Sequence, residues 1–526
     1  MQRFFNTTGP CRPEWHYMVP PIPRLPDAKR LIDQMNYFVV HAPRQTGKTT
    51  TLITLAKELT ASGQYAALYF TCEMAEPAGD DYERAEHIIV RTIRTAASDQ
   101  LPFTLHPPSH VSDTSGQRVE ALLQGWAEAC PRPLVLFFDE IDAIRGQSMI
   151  SVLRQLRAGF YKRPQAFPAS IVLCGLRDVR EYKAASGGDP ERLGTASPFN
   201  IKVTSMKMSN FDQDQIGALY QQYTVETGQA FTADAMQRVW EATEGQPWLV
   251  NALAREVTEI MQVPVTESIT AEHVDQAKER LILARATHLD SLVSKLVEPR
   301  VKRVIEMIVS GAMVSDVDPT YDDALLYCRD LGLVAQKNPV RIANKIYREV
   351  IVRVLGSSVE SQLDIDPHSF VLPDGKLNLR MMLDEFVSFW CEHGDIMAHG
   401  SSFHEVAPQL VLMAFLQRVV NGGGYVEREY GIGRGRIDLL VRWPYNNEGK
   451  RVYQREAIEL KVWRDKAKDP LPQALKQIDQ YLTKLNLDYG VLVIFDRRSE
   501  AAEVEERTRF EQATTPSGKS VTLLRA

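Results

Sequence analysis

The sequence has little cysteine, and its cysteines lie far apart. They are Cys11, Cys72, Cys130, Cys174, Cys328 and Cys391, and no two of them form a C-x-x-C pair. Structural zinc sites and disulfide frameworks are built from cysteines at close or regular spacing. The spacing therefore argues against both and favours a reducing compartment.

Long apolar runs and an excess of basic charge are also missing. No run reaches the roughly 18 apolar residues that a membrane span needs, and the first residues lack the apolar core of a signal peptide. The chain has 61 Lys and Arg against 67 Asp and Glu, a net charge of -6, so any nucleic-acid surface must be local. We therefore expect a cytoplasmic protein with no membrane partner. Its 526 residues predict roughly two to four domains.

The strongest chemical signal follows a short apolar strand that begins at Tyr37. A loop ending Gly47-Lys48-Thr49 comes next, and apolar residues then recur at helical spacing. In a phosphate loop of this kind, backbone N–H groups converge on a phosphate, the lysine binds the β- and γ-phosphates, and the threonine hydroxyl holds magnesium. The alternative is an ordinary turn with a surface lysine. The predicted nucleotide contacts are Ala42, which replaces the usual opening glycine, and Pro43, Arg44, Gln45, Thr46, Gly47, Lys48, Thr49 and Thr50, with ATP and Mg²⁺ as cofactors.

A second apolar run, Leu134 to Phe138, ends in Asp139 and Glu140. It suits a parallel strand that is buried on both faces and delivers its carboxylates at the edge where ligands bind. Asp139 is expected to hold the hydrated magnesium ion, and Glu140 to orient and deprotonate the attacking water. Alternatively, either acid caps the following helix.

Two further segments bear on this site. The proline-rich N-terminal arm is expected to be extended, and His16 and Tyr17 in it either stack on a nucleotide base or pack against the protein. A third strand ends at Cys174 without an evident polar sensor of the γ-phosphate. Arg177 or Arg180 then either reaches a phosphate or is a surface residue beside a helix start.

Residues 206–285 carry repeated helix-start signals, among them Gly245-Gln246-Pro247. With the phosphate loop and the Asp-Glu strand, the run Gly-Gln-Pro-Trp-Leu-Val resembles bacterial AAA-like ATPases of the AAA+/STAND group, over roughly residues 20–280. The resemblance implies ATP hydrolysis, a helical lid whose Pro247 contacts the nucleotide, and a homo-oligomer formed through the ATPase domain. The alternative for Pro247 is a helix start and nothing more.

Residues 286–356 predict a winged-helix-like domain, with an amphipathic helix, a hairpin around Asn338-Pro339 and a final helix. Such domains read DNA. The candidate recognition helix carries Asp322, Asp323 and Asp330 against one Arg329, so phosphates would repel it. Packing against another domain is therefore the favoured interpretation.

Beyond a linker, two predicted apolar strands carry charged residues at positions that could form a metal site. Asp438 lies on the first, and Glu459 and Lys461 share one face of the second because strand side chains alternate. The carboxylates, with the Leu460 carbonyl, suit magnesium, and the ammonium can orient water and stabilise charge on a phosphate. The alternative is a solvated strand face.

The Asp, Glu-x-Lys pattern resembles the PD-(D/E)xK nuclease superfamily over about residues 370–500. The resemblance implies catalytic roles for Asp438, Glu459 and Lys461, with magnesium on the two carboxylates. It matches Glu405 to a further metal-binding acid, for which Glu429 competes. It also places Gln473, Gln477 and Tyr481 on a helix near the metal or substrate.

The expected fold class is α/β, with a helical lid and a winged-helix-like middle domain. We expect a parallel-sheet P-loop ATPase core at 1–205, a helical lid at 206–285 and a winged-helix-like domain at 286–356. A linker at 357–370 then leads to a restriction-endonuclease-like domain at 371–526. The expected function is an ATPase that controls a magnesium-dependent nuclease acting on DNA, with RNA second, and related chains imply prokaryotic defence or mobile elements. The alternative is a signalling ATPase whose nuclease-like domain only binds nucleic acid or a protein partner.

Overall fold

The computed structural model describes residues 2–109, 114–177, 201–284, 287–309, 323–360, 370–400, 412–413, 415–416, 424–432, 435–447, 450–465 and 467–526. The chain divides into two compact units. The front unit comprises residues 1–292 and 319–346, and the rear unit comprises 293–318 and 347–526. Among the described residues, no helix combines the length and the apolar character that crossing a lipid bilayer requires.

The front unit is an α/β body whose five-stranded parallel sheet is consistent with a P-loop ATPase core. Two short strands of the arm, Phe4–Phe5 (β1) and His16–Tyr17 (β2), pair separately. The main strands are Tyr37–His41 (β3), Ala66–Thr71 (β4), Leu134–Asp139 (β5), Ser170–Gly175 (β6) and Lys202–Lys207 (β7). Their order is β4-β5-β6-β3-β7, and every pairing is parallel. Asp139 and Glu140 thus lie at the end of the inner strand β5, and the phosphate loop follows the inner strand β3. Strand β6 lies between these two strands.

Helices cover both faces of this sheet, which explains the unbroken apolar runs of β3 and β5. They are Ala28–Asp33 (α1), Lys48–Ala61 (α2), Tyr82–Gln100 (α3), Arg118–Ala129 (α4) and Gly146–Gly159 (α5). Two separate apolar clusters form, one on each side: Leu52 packs in one and Trp126 in the other. The arm is less extended than predicted, because Ile22–Arg24 form a 3-10 turn and α1 begins at Ala28.

The predicted lid is helical. Its helices are Gln213–Thr227 (α6), Ala233–Thr243 (α7), Pro247–Arg255 (α8), which continues as a π-helical turn Glu256–Ile260, and Ala271–Leu283 (α9). Thr287–Lys295 (α10), Pro299–Val309 (α11), Asp323–Asp330 (α12) and Lys345–Glu360 (α13) follow. Between α12 and α13 the predicted hairpin is a single bridge, Val334 to Ile342. The helix and bridge lie within the front unit rather than in a body of their own.

Gly245 in the lid motif is a position that only glycine fits. Its φ is 73°, and a Cβ would lie 1.8 Å from the carbonyl oxygen of Phe211. We predict that Gly245→Ala destabilises the front unit by at least about 2 kcal/mol, since it adds left-handed backbone strain to a backbone overlap. Gly217 in α6 is the matched control, because a Cβ there meets nothing within 4 Å. By scanning calorimetry of the full chain, Gly217→Ala should raise or leave the melting temperature that Gly245→Ala lowers; equal effects would contradict the prediction.

The rear unit is built on a six-stranded mixed sheet. Its strands are Tyr425–Ile432 (β8), Gly435–Asn447 (β9), Lys450–Trp463 (β10), Tyr489–Asp496 (β11), Arg509–Thr514 (β12) and Ser520–Arg525 (β13), in the order β12-β13-β11-β10-β9-β8. The helices are Leu379–Gly400 (α14), Leu471–Leu485 (α15) and Val504–Arg507 (α16). Strand β10 runs antiparallel to β9 and parallel to β11, and α15 packs its apolar face, including Ile478 and Leu482, over this junction.

Proline usually favours a turn, but it does not end β9. Strand β9 continues through Pro444, which pairs with Tyr453, and ends only at Asn447. Within the described sheet, β8 pairs with β9 no further than Arg442, so beyond that residue one edge of β9 has no neighbour. Proline is tolerated at such an edge because its missing N–H is not needed there.

Candidate functional site

The phosphate loop of the front unit holds two residues in the left-handed region, Gln45 at φ 57° and Gly47 at φ 90°. Ala42, at the position where the motif usually has glycine, is fully buried and lies outside that region, so alanine is accommodated without strain. Arg24 supports the loop from the arm: its Nη1 donates to the Thr46 carbonyl at 2.7 Å. A Cβ at Gly47 would lie 2.8 Å from the same Nη1 atom, so this contact also requires glycine.

Lys48 lies at the start of α2 with its ammonium inside the loop. Its Nζ donates to the carbonyls of Ala42 at 2.9 Å and Pro43 at 3.0 Å, and the residue is only 6% exposed. An ammonium carries three N–H donors, so one remains for a phosphate oxygen. The helix N-terminus adds a partial positive charge at the same place.

Asp139 meets the phosphate-loop helix directly. Thr49 Oγ1 donates to Asp139 Oδ2 at 2.7 Å, and the hydroxyl of Tyr69 on β4 donates to the same oxygen at 3.0 Å. Hydroxyl and carboxylate oxygens are the hard ligands that magnesium prefers, so Thr49 and Asp139 fit a magnesium ion bound beside the phosphates. Burial, and then the charge of Asp139, raise the pKa of Tyr69, which keeps it a hydroxyl donor.

Glu140 follows in a left-handed conformation, at φ 51°. Its N–H donates to Asp139 Oδ1 at 3.0 Å, so the turn that carries Glu140 is fixed by its neighbour's carboxylate. Burial raises the pKa of Glu140, while the Lys48 ammonium works in the opposite direction. A carboxylate with a raised pKa is a better general base than one in open water.

Next to the loop, a pocket lies between the arm, the phosphate loop and the lid. Gln45, Gly47 and Thr50 line its loop end, and Pro247 and Trp248 line its lid end. Pro247 is therefore part of the wall of this pocket. The arm is fixed to the lid here, because the Trp248 indole donates to the Thr7 carbonyl at 2.8 Å and Gln222 donates to the Met18 carbonyl at 3.0 Å.

The two arm residues expected either to stack on a base or to pack, His16 and Tyr17, have different surroundings. Tyr17 also lines the pocket, but its ring is buried between Phe5, with ring centres 4.9 Å apart, and Tyr223, at 5.8 Å. His16 accepts the N–H of Arg12 at 2.8 Å and lies edge-on to Phe4. Both rings therefore make packing contacts within the front unit.

Arg177 lies beyond the end of β6 and is buried. Its Nε is 3.8 Å from Asp330 Oδ2, and its guanidinium lies 4.1 Å from the ring centre of Tyr327. Lys207 Nζ is 3.2 Å from Asp330 Oδ1. The acidic end of α12 is thus used for packing inside the front unit. Arg180 lies outside the described residues.

In the rear unit, three predicted residues come together where β9 and β10 stop pairing. The ladder ends at Leu439 and Ile458, and Asp438 Oδ2 instead accepts the N–H of Leu460 at 2.8 Å. Lys461 Nζ lies 2.6 Å from Glu459 Oε1 and 3.8 Å from Asp438 Oδ2, so one ammonium serves both carboxylates.

Glu459 is the electrostatically costly member of this cluster. It is 2% exposed, and its Oε2 has no hydrogen-bond partner among the described residues. Burial, and then the charge of Asp438, raise its pKa to about 7. Burial also disfavours the charged form of Lys461. The negative charges of Glu459 and Asp438 outweigh this effect, so the pKa of the ammonium is raised. A buried carboxylate oxygen without a partner fits a cation ligand, and magnesium would be held by Asp438 and Glu459.

The helix predicted beside this cluster is α15. Tyr481 on it is buried and close enough to Lys461 to influence its pKa, Gln477 is half-buried, and Gln473 is exposed. Within the described part of the chain, no three acidic, histidine or cysteine side chains gather as a metal site, so the two carboxylates form a pair. Glu405 and the side chain of Glu429 lie outside the described residues.

No protein-family model matches the chain, and no curated protein matches it. Solved structures to which the chain is similar include a Walker-type ATPase of Pyrococcus abyssi, at 13% identity and a TM-score of 0.45 over 66% of this chain and 99% of that one. RuvB, the Holliday junction branch migration motor of Thermotoga maritima, gives 12% and 0.34 over 63% and 95%. Cdc6p from Pyrobaculum aerophilum gives 13% and 0.34 over 64% and 93%.

Two residues of the front site, Arg24 and Tyr69, were not predicted from the sequence. Arg24 lies in the arm, with no sequence feature that ties it to a loop more than 20 positions away. Tyr69 lies on β4 among apolar neighbours, where a tyrosine normally indicates core. The one available signal is that a buried tyrosine hydroxyl needs a partner, and Asp139 ends the strand that pairs with β4.

Proposed function

We propose that the chain is an ATP-hydrolysing protein that controls a magnesium-dependent nuclease acting on DNA, with RNA as the second substrate class. The observation that carries the proposal is the shared ammonium of Lys461, which lies within 4 Å of both Asp438 and Glu459. Cleavage chemistry needs these three groups together. The nucleotide half rests on the hydrogen bond between Thr49 and Asp139. Prokaryotic defence or mobile elements remain the proposed setting.

In the front unit, the residues divide the work of γ-phosphate hydrolysis. Lys48 and the loop N–H groups hold the phosphates in place, and Thr49 and Asp139 would hold magnesium, which neutralises charge that develops on the phosphate oxygens. Glu140 orients a water for in-line attack and accepts its proton. Its neighbour Asp139 fixes the turn that presents it, so the two adjacent acids have separate tasks.

In the rear unit, the residues suit attack of water on a phosphodiester. Asp438 and Glu459 would hold magnesium, whose Lewis acidity polarises the phosphate. The Lys461 ammonium is positioned to orient the attacking water and to stabilise negative charge on the phosphate. Tyr481 lies close enough to this ammonium to raise its pKa.

A cleavage assay on the wild-type chain tests the proposal. Supercoiled plasmid, linear duplex, single-stranded DNA and RNA are each incubated with magnesium, with and without ATP. We expect magnesium-dependent nicking of DNA whose rate changes with ATP. If no substrate is cut under any condition while ATP is hydrolysed, the rear unit only binds nucleic acid or a protein partner, and the nuclease proposal is wrong.

Cation binding by the rear unit should strengthen as pH rises. The pKa of Glu459 is raised to about 7, so below that pH a cation must displace its proton, at a cost of about tenfold in affinity per pH unit. Calorimetric titration with Mn²⁺ at pH 6, 7 and 8 measures this, with Glu459→Gln as the control that removes the effect. An affinity that does not change with pH, or changes equally in both, would contradict the prediction.

The raised pKa of Glu459 has the opposite effect on the stability of the metal-free protein. Between the ordinary pKa of 4.5 and about 7, the folded state keeps a proton on Glu459 that the unfolded chain releases. The free energy of unfolding should therefore fall as pH rises through this window.

A further inference from the structure

Among the residues that line the pocket between arm and lid, Asn251 is one that carries a buried polar atom without a hydrogen-bond partner in the described part of the chain. Asn251 on α8 lines the pocket and is 8% exposed. Its Nδ2 donates to the Pro247 carbonyl at 2.8 Å. A carbonyl can only accept, so this contact fixes which end of the amide is nitrogen. The remaining Oδ1 is buried and has no hydrogen-bond partner among the described residues.

The rest of the pocket suits a flat ring attached to phosphates in the loop. Trp248, whose orientation is fixed by its bond to Thr7, and the apolar Leu219, Val19 and Phe211 line it. At the loop end, Arg24 is bonded to Thr46, yet its Nε is another buried polar atom without a partner in the described residues. An apolar cleft with few placed polar atoms is the usual form of a small-molecule site.

We infer that Asn251 selects adenine: its Oδ1 accepts the exocyclic amino group of the base whose phosphates lie in the loop. Adenine carries a donor at the 6-position and guanine a carbonyl acceptor, so guanine would place oxygen against oxygen. The inference rests on the proposed binding of ATP and adds the residue that determines which purine is bound. A site built to pair with a donor rejects the analogue that lacks it, because the protein group then stays buried and unpaired.

Calorimetric titration of the full chain with three diphosphates tests this without hydrolysis. The ligands are ADP, GDP and purine riboside diphosphate, which lacks the 6-amino group. We expect the wild type to bind ADP at least about tenfold more tightly than either of the others. Asn251→Leu should bind ADP and the purine riboside analogue equally. Asn210→Leu, a surface position at the start of the lid that does not line the pocket, should keep the wild-type preference.

The outcomes separate this inference from the proposed function. Binding of ADP by the wild type without preference over the purine riboside analogue overturns the role of Asn251 and leaves nucleotide binding standing. An Asn251→Leu variant that loses the same factor for both ligands also overturns it. If Asn251→Leu does not fold, the comparison of the three ligands on the wild type still decides. No binding of any diphosphate overturns both the inference and the nucleotide half of the proposed function.

Discussion

Glu140→Gln is expected to bind ATP as tightly as the wild type and to hydrolyse it at least about a hundredfold more slowly. The amide keeps the size and the left-handed turn but cannot accept a proton from water. The hydrogen bonds that hold the loop go to other partners: Lys48 is bonded to Ala42 and Pro43, and Thr49 to Asp139. Binding and turnover should therefore separate cleanly.

Phosphate release at saturating ATP and titration with a fluorescent ATP analogue measure the two quantities. Glu58→Gln is the control, because Glu58 is an exposed glutamate on α2, the helix that follows the phosphate loop. It should change neither ATP binding nor hydrolysis. Unchanged phosphate release in Glu140→Gln would refute the assignment of the general base. Burial raises the pKa of Glu140, so the wild-type rate should also fall as pH falls through that pKa.

The sheet strands that sequence could predict are those buried on both faces. Tyr37–His41, Leu134–Asp139 and Ser170–Gly175 are mainly apolar runs, and all three are inner strands of the sheet. The edge strand Lys202–Lys207 was not predicted, and the expected domain boundary at 205 falls inside it. Its run, Lys-Val-Thr-Ser-Met-Lys, has little apolar character, and Val203 is exposed, so its strand conformation depends on pairing with β3 rather than on burial.

The residues of the candidate sites likewise fall into those that the sequence could predict and those that it could not. Residues whose role comes from adjacent sequence, such as Lys48 with Thr49 or Glu459 with Lys461, could be picked out because the motif and the geometry are the same few positions. Arg24 contacts a loop that is distant in sequence, and Asn251 lines a pocket together with residues of the distant arm, so no local pattern distinguishes either from ordinary polar residues. Arg24 is recognised by the hydrogen bond of its buried guanidinium to the loop. Asn251 is recognised by a buried oxygen that has no hydrogen-bond partner among the described residues.

The acidic helix α12 shows how charge decides between two readings of one pattern. Its spacing fits a DNA-reading helix as well as a packing helix. Asp330 is buried against Lys207 and Arg177, so part of the charge that would repel DNA is instead paired within the front unit. Arg341 supports the same packing through two contacts of 2.6 Å with Glu244 of the lid.

Lys461→Ala is expected to abolish plasmid cleavage, by about a hundredfold or more, while ATP hydrolysis stays at the wild-type rate. The ammonium is the only group of the predicted triad that can donate to the scissile phosphate, because Asp438 and Glu459 accept when ionised. Nicking of supercoiled plasmid and phosphate release, measured on the same preparation, give the two values. Lys476→Ala, an exposed lysine on α15, is the matched control and should cut like the wild type.

Loss of Lys461 also removes the positive charge that offsets two nearby carboxylates. Glu459 should then hold its proton to a still higher pH, because the Lys461 charge is among the influences that lower its pKa. A loss of cleavage caused only by weaker cation binding would be rescued by higher magnesium or higher pH. A loss caused by the missing ammonium in the transition state would not be. We expect no rescue, and recovery of wild-type cutting at pH 9 with excess magnesium would show that Lys461 serves the carboxylates and not the phosphate.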